Sequence, residues 1–283
     1  MMSRDPDLLD VSSHFAFGKN WASYSGLIGD ERIERAKREI QRLCGDQLFD
    51  ARWLDIGCGS GLHSLAALEL GVREATAVDL DENSVATTRA LLANRAGGKS
   101  WHVERCSVFE LESRFGSDFD VVYSWGVLHH TGDLNRALRA AARLVRPGGL
   151  FCFALYRRTM LCPLWRIEKR WYSRASERRQ RVAQAVFRAV LKAKLRLSGG
   201  SFDRYIHDYH HANRGMDFQH DLHDWLGGYP YESISPAAVH GLMSTLGLEL
   251  EREFVQMGSP VGLLGSGCDE YTYRRIQTAA GAA

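Results

Sequence analysis

The sequence predicts an α/β protein built on a doubly wound, mostly parallel sheet, because short apolar runs alternate with helical stretches between residues 53 and 156. Four of these runs have the length and composition of buried strands, and Pro147-Gly148-Gly149 predicts a turn before the last of them. Alternation at this spacing implies parallel pairing through right-handed crossovers. The predicted strands are 53–56, 75–80, 120–125 and 150–156, and the predicted helices are 61–70, 83–94 and 133–145.

The segments on either side complete the predicted organisation. An aromatic segment at 15–25 precedes an amphipathic helix over 30–44, and a helix over 236–246 precedes strand-like runs at 248–255 and 268–275. We therefore expect four parts along the chain: an N-terminal helical lid at 1–44, a ligand-binding core at 45–156, a basic helical and His/aromatic-rich cap at 157–235, and a closing helix with an antiparallel strand pair at 236–283.

The composition narrows the class of protein. With 283 residues, 45% apolar and 25% charged, the chain can bury a core without disulfides or metals. A formal net charge of +2 indicates no overall bias toward nucleic acid. The acidic first ten residues, and the lack of any apolar run near the ~20 residues that cross a bilayer, favour a cytoplasmic protein. The cysteines form no CxxC pair and are expected to be reduced thiols: Cys44, Cys58, Cys106, Cys152, Cys162 and Cys268.

A glycine-rich motif follows the first predicted strand. Gly57, Gly59 and Gly61 occupy every second position, so the backbone can bend sharply and a ligand can lie against it without meeting a Cβ. A dinucleotide-binding loop has G-x-G-x-x-G facing a pyrophosphate, whereas here the pattern is G-x-G-x-G with Asp55 just before it. An acid so close would repel a pyrophosphate and tolerate a cationic ligand. Asp79 ends the next strand, where an acid can accept hydrogen bonds from both ribose hydroxyls.

Four segments in order carry a family resemblance. LDIGCGSG, AVDLD, DVVYSWGVLHH and RLVRPGG are similar to the successive signature segments of class I S-adenosylmethionine-dependent methyltransferases. The resemblance covers 45–156 and the terminal strand pair. It implies a seven-stranded Rossmann-like methyltransferase fold, S-adenosylmethionine as cofactor, and a cap inserted after strand five. The resemblance implies that Trp21 and Tyr24 form a lid over the cofactor and that Asp55, Gly57, Gly59 and Gly61 lie at its methionine portion. It implies that Asp79 holds the ribose, and that Leu80, Ser107 and Val108 lie at the adenine. Trp125 is a further predicted cofactor-binding residue. Core packing is the alternative for the two lid aromatics.

The segment after strand four, Val127 to Asp133, resembles the ubiquinone-biosynthesis O-methyltransferase branch in part. Gly126 and His129 stand where that branch has acids associated with a divalent metal, so no metal ligand is predicted, while His130 matches its histidine. Methyl transfer to a hydroxyl requires loss of its proton, and a histidine titrating near neutrality suits that task. His129 and His130 are the catalytic candidates, with helix capping or packing as the alternative.

The segment 214–231 interleaves aromatic, acidic and histidine residues and ends in a Gly-Gly turn. We expect an acceptor-binding role, with a structural turn or a metal site of His220, Asp221, His223 and Asp224 as alternatives. The residues predicted to line the acceptor side are Tyr156, Arg214, Asp217, His220, Asp221, Asp224, Trp225 and Tyr229.

The stretch 157–196 is strongly basic. Val182, Val186, Ala189, Ala193 and Leu197 mark an amphipathic helix with a basic outer face. A solvated helix is the plain interpretation. Peripheral contact with an anionic membrane, or attraction of an anionic substrate, are the alternatives, ahead of nucleic acid.

The combined pattern predicts a methyltransferase that methylates a hydroxyl or carboxyl of a small-molecule acceptor. A lipid-linked or sugar acceptor, and a non-catalytic cofactor-binding homologue, are the alternatives. A nucleotide-dependent oxidoreductase is the hypothesis from another enzyme class, and the five-residue glycine loop speaks against it.

Overall fold

The computed structural model describes residues 14–45, 48–212, 216–255 and 261–277, and its core is a seven-stranded sheet. The strand order is β3-β2-β1-β4-β5-β7-β6, with β1 to β5 parallel and β7 antiparallel to both of its neighbours. This confirms the predicted fold class. The strands are β1 Arg52–Ile56, β2 Glu74–Asp79, β3 Ser100–Arg105, β4 Phe119–Trp125, β5 Val145–Tyr156, β6 Leu248–Phe254 and β7 Cys268–Arg275.

Helices cover both faces of the sheet. Side chains at successive strand positions point to opposite faces, so Trp53 and Tyr123 pack on one side while Leu54 and Val122 pack on the other. The helices are α1 Phe17–Ser25, α2 Asp30–Cys44, α3 Leu62–Glu69, α4 Glu82–Arg95, α5 Leu111–Phe115, α6 Leu134–Arg143, α7 Cys162–Arg174, α8 Glu177–Leu197, α9 Phe202–His207, α10 Tyr209–Ala212, α11 Phe218–Gly227 and α12 Pro236–Thr245.

Two strands differ from the sequence prediction. The strand β3 lies at the sheet edge, and its mixed pattern of buried and exposed residues lacks the apolar run that marks the inner strands. The strand β5 begins at Val145 rather than at residue 150, because Val145 pairs with Phe119. The pairing resumes at Val121 and Leu150, so the predicted Pro-Gly-Gly turn forms a bulge within the strand.

The segment between β5 and α12 is largely helical in the residues that the structure describes, from α7 to α11. In α8 the buried side is offset from the predicted stripe: Leu191 is buried with Phe187 and Leu195 packed beside it, whereas Val182 and Val186 are exposed. The predicted helix forms, but its outer face is not basic alone, because the stripe of Val182 and Val186 is also exposed. An aromatic cluster that includes Phe15, Tyr172 and Phe218 selects the buried side, and those residues are far away in sequence.

Candidate functional site

The glycine loop connects β1 to α3 in a conformation that excludes side chains. Gly57, Gly59 and Gly61 have φ of +80°, +54° and +81°. A Cβ on Gly57 would lie 2.4 Å from Cγ2 of Val127, and a Cβ on Gly59 would lie 3.1 Å from the Trp21 ring. The N–H groups of Gly57 and Cys58 donate to Val78 O at 2.8 and 3.0 Å, which holds the loop against β2. The loop therefore presents bare backbone to the space above the sheet.

Asp79 ties this loop to the end of β2. Its Oδ2 accepts a hydrogen bond from the Gly59 N–H at 3.0 Å, and its Oδ1 accepts one from the Asp81 N–H at 2.9 Å. Burial raises the pKa of Asp79 to about 6, against the opposing effect of these hydrogen bonds. A carboxylate held in a desolvated place favours a positively charged or hydroxyl-bearing ligand.

Asp55 of β1 and Gly61 of the loop lie behind the residues that line the ligand space. Asp55 does not line the cavity described below; its Oδ2 accepts a hydrogen bond from Ser64 Oγ at 2.7 Å. Gly61 has the left-handed conformation that begins α3, and its Cα faces Thr88 of α4 rather than the cavity. Neither Asp55 nor Gly61 lines the cavity, because both are directed toward neighbouring helices, so their place near the cofactor stays a prediction.

Replacing Asp55 by asparagine is expected to stabilise the ligand-free protein at pH 8. Burial, and secondarily the charge of Asp79, raise the Asp55 pKa to about 7, although the Ser64 hydrogen bond lowers it. The folded state therefore keeps a proton that the unfolded chain loses near pH 4, and stability falls as pH rises from about 4 to about 7. The variant should gain on the order of 2–4 kcal/mol in the free energy of unfolding at pH 8 and nothing near pH 4.

Denaturant unfolding at both pH values measures this gain. Asp118→Asn is the matched control, since the Asp118 side chain is 74% exposed and its replacement should change little at either pH. Equal effects of the two substitutions at pH 8 would contradict a desolvated Asp55.

A cavity of about 1890 Å³ opens above the glycine loop. This volume exceeds what one small ligand fills, so two ligands can lie side by side. One end, the loop end, adjoins Gly57 and Gly59, and the other, the cap end, adjoins α11. The predicted residues that line it at the loop end and sheet edge are Trp21, Tyr24, Gly57, Gly59, Asp79, Leu80, Ser107, Val108 and Trp125, and those toward the cap are His130, Tyr156, Asp221, Asp224 and Trp225.

A carboxyl pair dominates the cap end. Asp221 and Asp224 lie one turn apart on α11 and both line the cavity. Tyr209 donates its hydroxyl hydrogen to Asp221 Oδ2, and Asn20 donates its Nδ2 hydrogen to Asp224 Oδ1, each at 2.8 Å. Burial, and then the nearby charge of Asp221, raise the pKa of Asp224 well above its ordinary value. Asp224 is therefore a stronger base than an exposed aspartate.

The two histidines do not have the predicted properties. His130 lines the cavity, but burial lowers its pKa to about 3, and its Nδ1–H donates to Pro230 O at 2.6 Å. The expectation that it titrates near neutrality is wrong. His129 is fully buried outside the cavity lining, its Nδ1 accepts from the Tyr156 N–H at 3.3 Å, and burial lowers its pKa well below the usual value. The alternative of a packing histidine fits His129.

Other predicted acceptor-side residues have structural positions. Asp217 begins α11, where its Oδ1 accepts from the N–H groups of Gln219 and His220 and contacts His220 Nδ1 at 2.7 Å. Neither Asp217 nor His220 lines the cavity, and Tyr229 is buried away from it. The prediction that these three line the acceptor side is wrong for this conformation, and Arg214 lies outside the described residues.

The alternative of a metal site in this segment finds no support in its geometry. The four side chains have separate partners: His223 Nδ1 contacts the Tyr172 hydroxyl at 2.8 Å, His220 contacts Asp217, Asp221 accepts from Tyr209, and Asp224 accepts from Asn20. Within residues 14–45, 48–212, 216–255 and 261–277, no three His, Cys, Asp or Glu side chains group as metal ligands.

Sequence reasoning missed an ion pair at the sheet edge of the cavity. Glu270 of β7 accepts from Trp125 Nε1 at 2.7 Å and pairs with Arg42 of α2. Both charged residues line the cavity. The alternation of residues along 268–275 shows from the sequence that Cys268 and Glu270 share one face of a strand. Only the antiparallel pairing of β7 with β5 shows that this face lies at the site.

Comparison with known proteins identifies related chains. A family profile described as a methyltransferase domain matches residues 28–250. Ubiquinone biosynthesis O-methyltransferases from Parvibaculum lavamentivorans and Bordetella avium are each 35% identical, over 39% and 42% of this chain and 42% and 48% of their own lengths. The chain therefore spans about half the length of these curated relatives.

Solved structures are similar in fold. Magnesium protoporphyrin IX methyltransferase from Synechocystis PCC 6803, with bound SAH, has a TM-score of 0.50 at 13% identity over 87% of this chain and 82% of its own. A chain from the complex of the Haloferax volcanii Trm112 methyltransferase activator with a methyltransferase has a TM-score of 0.53 at 13% identity, over 93% of this chain and 97% of its own. At these identities the similarity shows the fold alone.

Proposed function

This chain belongs to the methyltransferase domain family, and from that premise we propose that it transfers the methyl group of S-adenosylmethionine to a hydroxyl oxygen of a small-molecule acceptor. The observation that carries the proposal is that one continuous cavity is lined both by the glycine loop and by the Asp221–Asp224 pair. Family membership also argues against the oxidoreductase hypothesis. The carboxyl groups of Asp55 and Asp79 around the loop agree with this, because they disfavour a pyrophosphate.

The loop end fits S-adenosylmethionine. Its bare glycine backbone accepts close approach, and the desolvated Asp79 carboxylate suits the hydroxyl groups of a ribose and favours a cationic ligand. Leu80, Ser107 and Val108 would contact the adenine, and Trp21 and Tyr24 would cover the bound molecule. When bound, the cofactor would supply a methyl group on a sulfonium sulfur, whose transfer to a nucleophile breaks the C–S bond and releases the sulfur as the neutral thioether of S-adenosylhomocysteine.

The cap end favours a hydroxyl over a carboxyl as methyl acceptor. Asp221 lines that end, and its negative charge contributes to the raised pKa of Asp224, so an acceptor carboxylate would meet repulsion there. Hydroxyl groups instead donate hydrogen bonds to carboxylates. The curated relatives named as O-methyltransferases support the same choice.

Asp224 is the residue that we assign to proton transfer. As the acceptor oxygen bonds to the methyl carbon, its hydroxyl proton passes to an Asp224 carboxylate oxygen, and Asn20 holds Oδ1 in place. The rings of Trp225 and Tyr156, whose centroids are 5.1 Å apart, would orient an acceptor and exclude water. His130, neutral and engaged with Pro230, would contribute to the cavity wall rather than take the proton.

Transfer of labelled methyl tests the proposal. Purified protein is incubated with methyl-labelled S-adenosylmethionine and matched panels of phenolic, alcoholic, amine and carboxylic acceptors, and products are identified by mass spectrometry. Methyl ethers should form from at least one hydroxyl acceptor. Methyl esters or methylamines as the only products, or cofactor binding with no product from any class, would contradict hydroxyl methylation.

A further inference from the structure

The consecutive helices α7 and α8 each carry a stripe of exposed apolar side chains. Leu164, Ile167 and Trp171 are 56%, 71% and 47% exposed and recur at helical spacing on α7. On α8, Val182 and Val186 are 59% and 58% exposed, and Val190 continues the same stripe. We call this surface the apolar–basic face: Leu164, Ile167, Trp171, Val182, Val186 and Val190 together with the exposed basic residues beside them. Large aliphatic side chains grouped in this way on a surface indicate a binding partner.

The helix α8 has three distinct stripes. One is buried against the protein and contains Leu191. The second is the exposed apolar stripe that begins with Val182, and the third is basic and contains Arg181 and Arg188. At 100° per residue, Arg178 lies about 40° and Lys192 about 80° from Val182, so basic side chains flank the exposed apolar stripe, while Arg181 and Arg188 lie between this flank and the buried stripe. An apolar stripe with a cationic flank is the pattern of a helix that lies in a membrane interface.

Charge is concentrated around this face. Residues 157–196 contain thirteen basic residues against two acids, Glu168 and Glu177. Two of the basic side chains serve elsewhere, since Arg157 pairs with Asp269 and Lys169 is buried. The exposed or partly exposed basic residues are Arg158, Arg166, Arg170, Arg174, Arg178, Arg179, Arg181, Arg188, Lys192, Lys194 and Arg196.

We propose that the apolar–basic face docks on an anionic lipid bilayer, with its aliphatic side chains in the headgroup region and its arginines on lipid phosphates. Two copies of the chain joined through this face would bring like charges together, whereas anionic headgroups complement them. The exposed side chains are chiefly valine, leucine and isoleucine, which enter a lipid layer and do not stack on bases. The contact is peripheral: no helix among the described residues combines the length and the apolarity needed to cross a bilayer.

Docking would bring the cap end of the cavity near the membrane, because α7 contacts α11. Buried Lys169 of α7 donates from Nζ to the Trp225 carbonyl oxygen of α11, with Nζ 3.5 Å from the Trp225 ring centroid. The helix that carries the apolar face is therefore joined to the helix that carries the carboxyl pair. Under the proposed function, this arrangement suits an amphiphilic acceptor that is partly dissolved in lipid.

Vesicle co-sedimentation tests the docking, with vesicles of phosphatidylcholine alone and of phosphatidylcholine mixed with phosphatidylglycerol. The protein should bind the anionic vesicles and lose binding as salt rises. The variant Ile167→Glu/Val186→Glu should bind at least about tenfold more weakly, and Arg178→Glu/Arg181→Glu/Arg188→Glu at least about 100-fold more weakly. All five side chains are exposed or partly exposed, so unfolding temperature and S-adenosylmethionine affinity should not change.

Phe49→Glu is the matched control. Phe49 is 83% exposed and lies outside the apolar–basic face, so its replacement removes an exposed apolar group without affecting vesicle binding. Equal binding to neutral and anionic vesicles, or equal losses in Phe49→Glu and Ile167→Glu/Val186→Glu, would overturn the proposal. Two further outcomes would overturn it in a protein that does not bind vesicles. One is a dimer, detected by sedimentation analysis, that dissociates in Ile167→Glu/Val186→Glu, and the other is binding of single-stranded RNA. Loss of methyl transfer with intact vesicle binding would contradict the proposed function alone.

Discussion

Replacing Asp79 by alanine is expected to weaken S-adenosylmethionine binding about 100-fold, or about 2.8 kcal/mol. The substitution removes the carboxylate proposed to hold the ribose, and it leaves the Gly59 N–H without the acceptor that it has at 3.0 Å. The first loss acts on the ligand-bound state alone, whereas the second loosens the glycine loop with or without ligand. The ligand-free protein should stay folded, because the change also removes a buried carboxyl whose pKa is raised to about 6.

Isothermal titration measures the affinity and thermal unfolding checks the fold. Asp118→Ala is the control, because Asp118 is exposed and lies outside the cavity lining. An unchanged dissociation constant for Asp79→Ala would remove the basis for placing the cofactor on this loop. If Asp79→Ala lost both cofactor binding and its cooperative unfolding transition, Asp79 would be needed for folding of the loop rather than for contact with the cofactor.

Replacing Asp224 by asparagine is expected to lower turnover by about 10²–10⁴-fold, with little change in cofactor affinity. Asparagine keeps the shape of the side chain and its hydrogen bond with Asn20 but cannot accept the acceptor's proton. Asp217→Asn is the matched control on the same helix. Asp217 lies outside the cavity lining and begins α11, a position where asparagine serves as well as aspartate.

The pH profile separates a proton acceptor from a structural residue. Asp224 must be ionised to take a proton, so kcat/KM should rise with pH through its raised pKa. Asp221→Asn removes the negative charge that helps to raise this pKa, so the rising limb should move to lower pH. An unmoved limb in Asp221→Asn, or wild-type turnover in Asp224→Asn, would contradict the assignment.

The short helix α1 contacts both ends of the cavity. The Gly18 N–H donates to Asp81 Oδ2 at 2.9 Å beside the loop end, and Trp21 lies over Gly59. On the same helix, Asn20 binds Asp224 at the cap end. The predicted lid of Trp21 and Tyr24 therefore lies where it can cover a ligand and support the carboxyl pair at once.

Local signals in the sequence were enough for the fold class and for the loop end of the site. Apolar runs at strand spacing, separated by helical periodicity, predicted the sheet, and alternate glycines with Asp79 at the next strand end marked the loop. These features depend on backbone conformation and on parallel strands that end at one edge, both of which act over short stretches of chain. The edge strand β3 escaped because exposure removed its apolar pattern.

The tertiary structure determined the properties that depend on burial and on residues distant in the sequence, namely pKa values and the exposure of helix faces. The sequence shows that His129 and His130 are histidines after a strand, but only their burial in the folded protein lowers their pKa values. The sequence likewise shows an apolar stripe on α8, but the position of the aromatic cluster determines that the stripe is exposed. Spacing along the chain specifies which side chains share a face, whereas desolvation and charge depend on elements that only folding brings together.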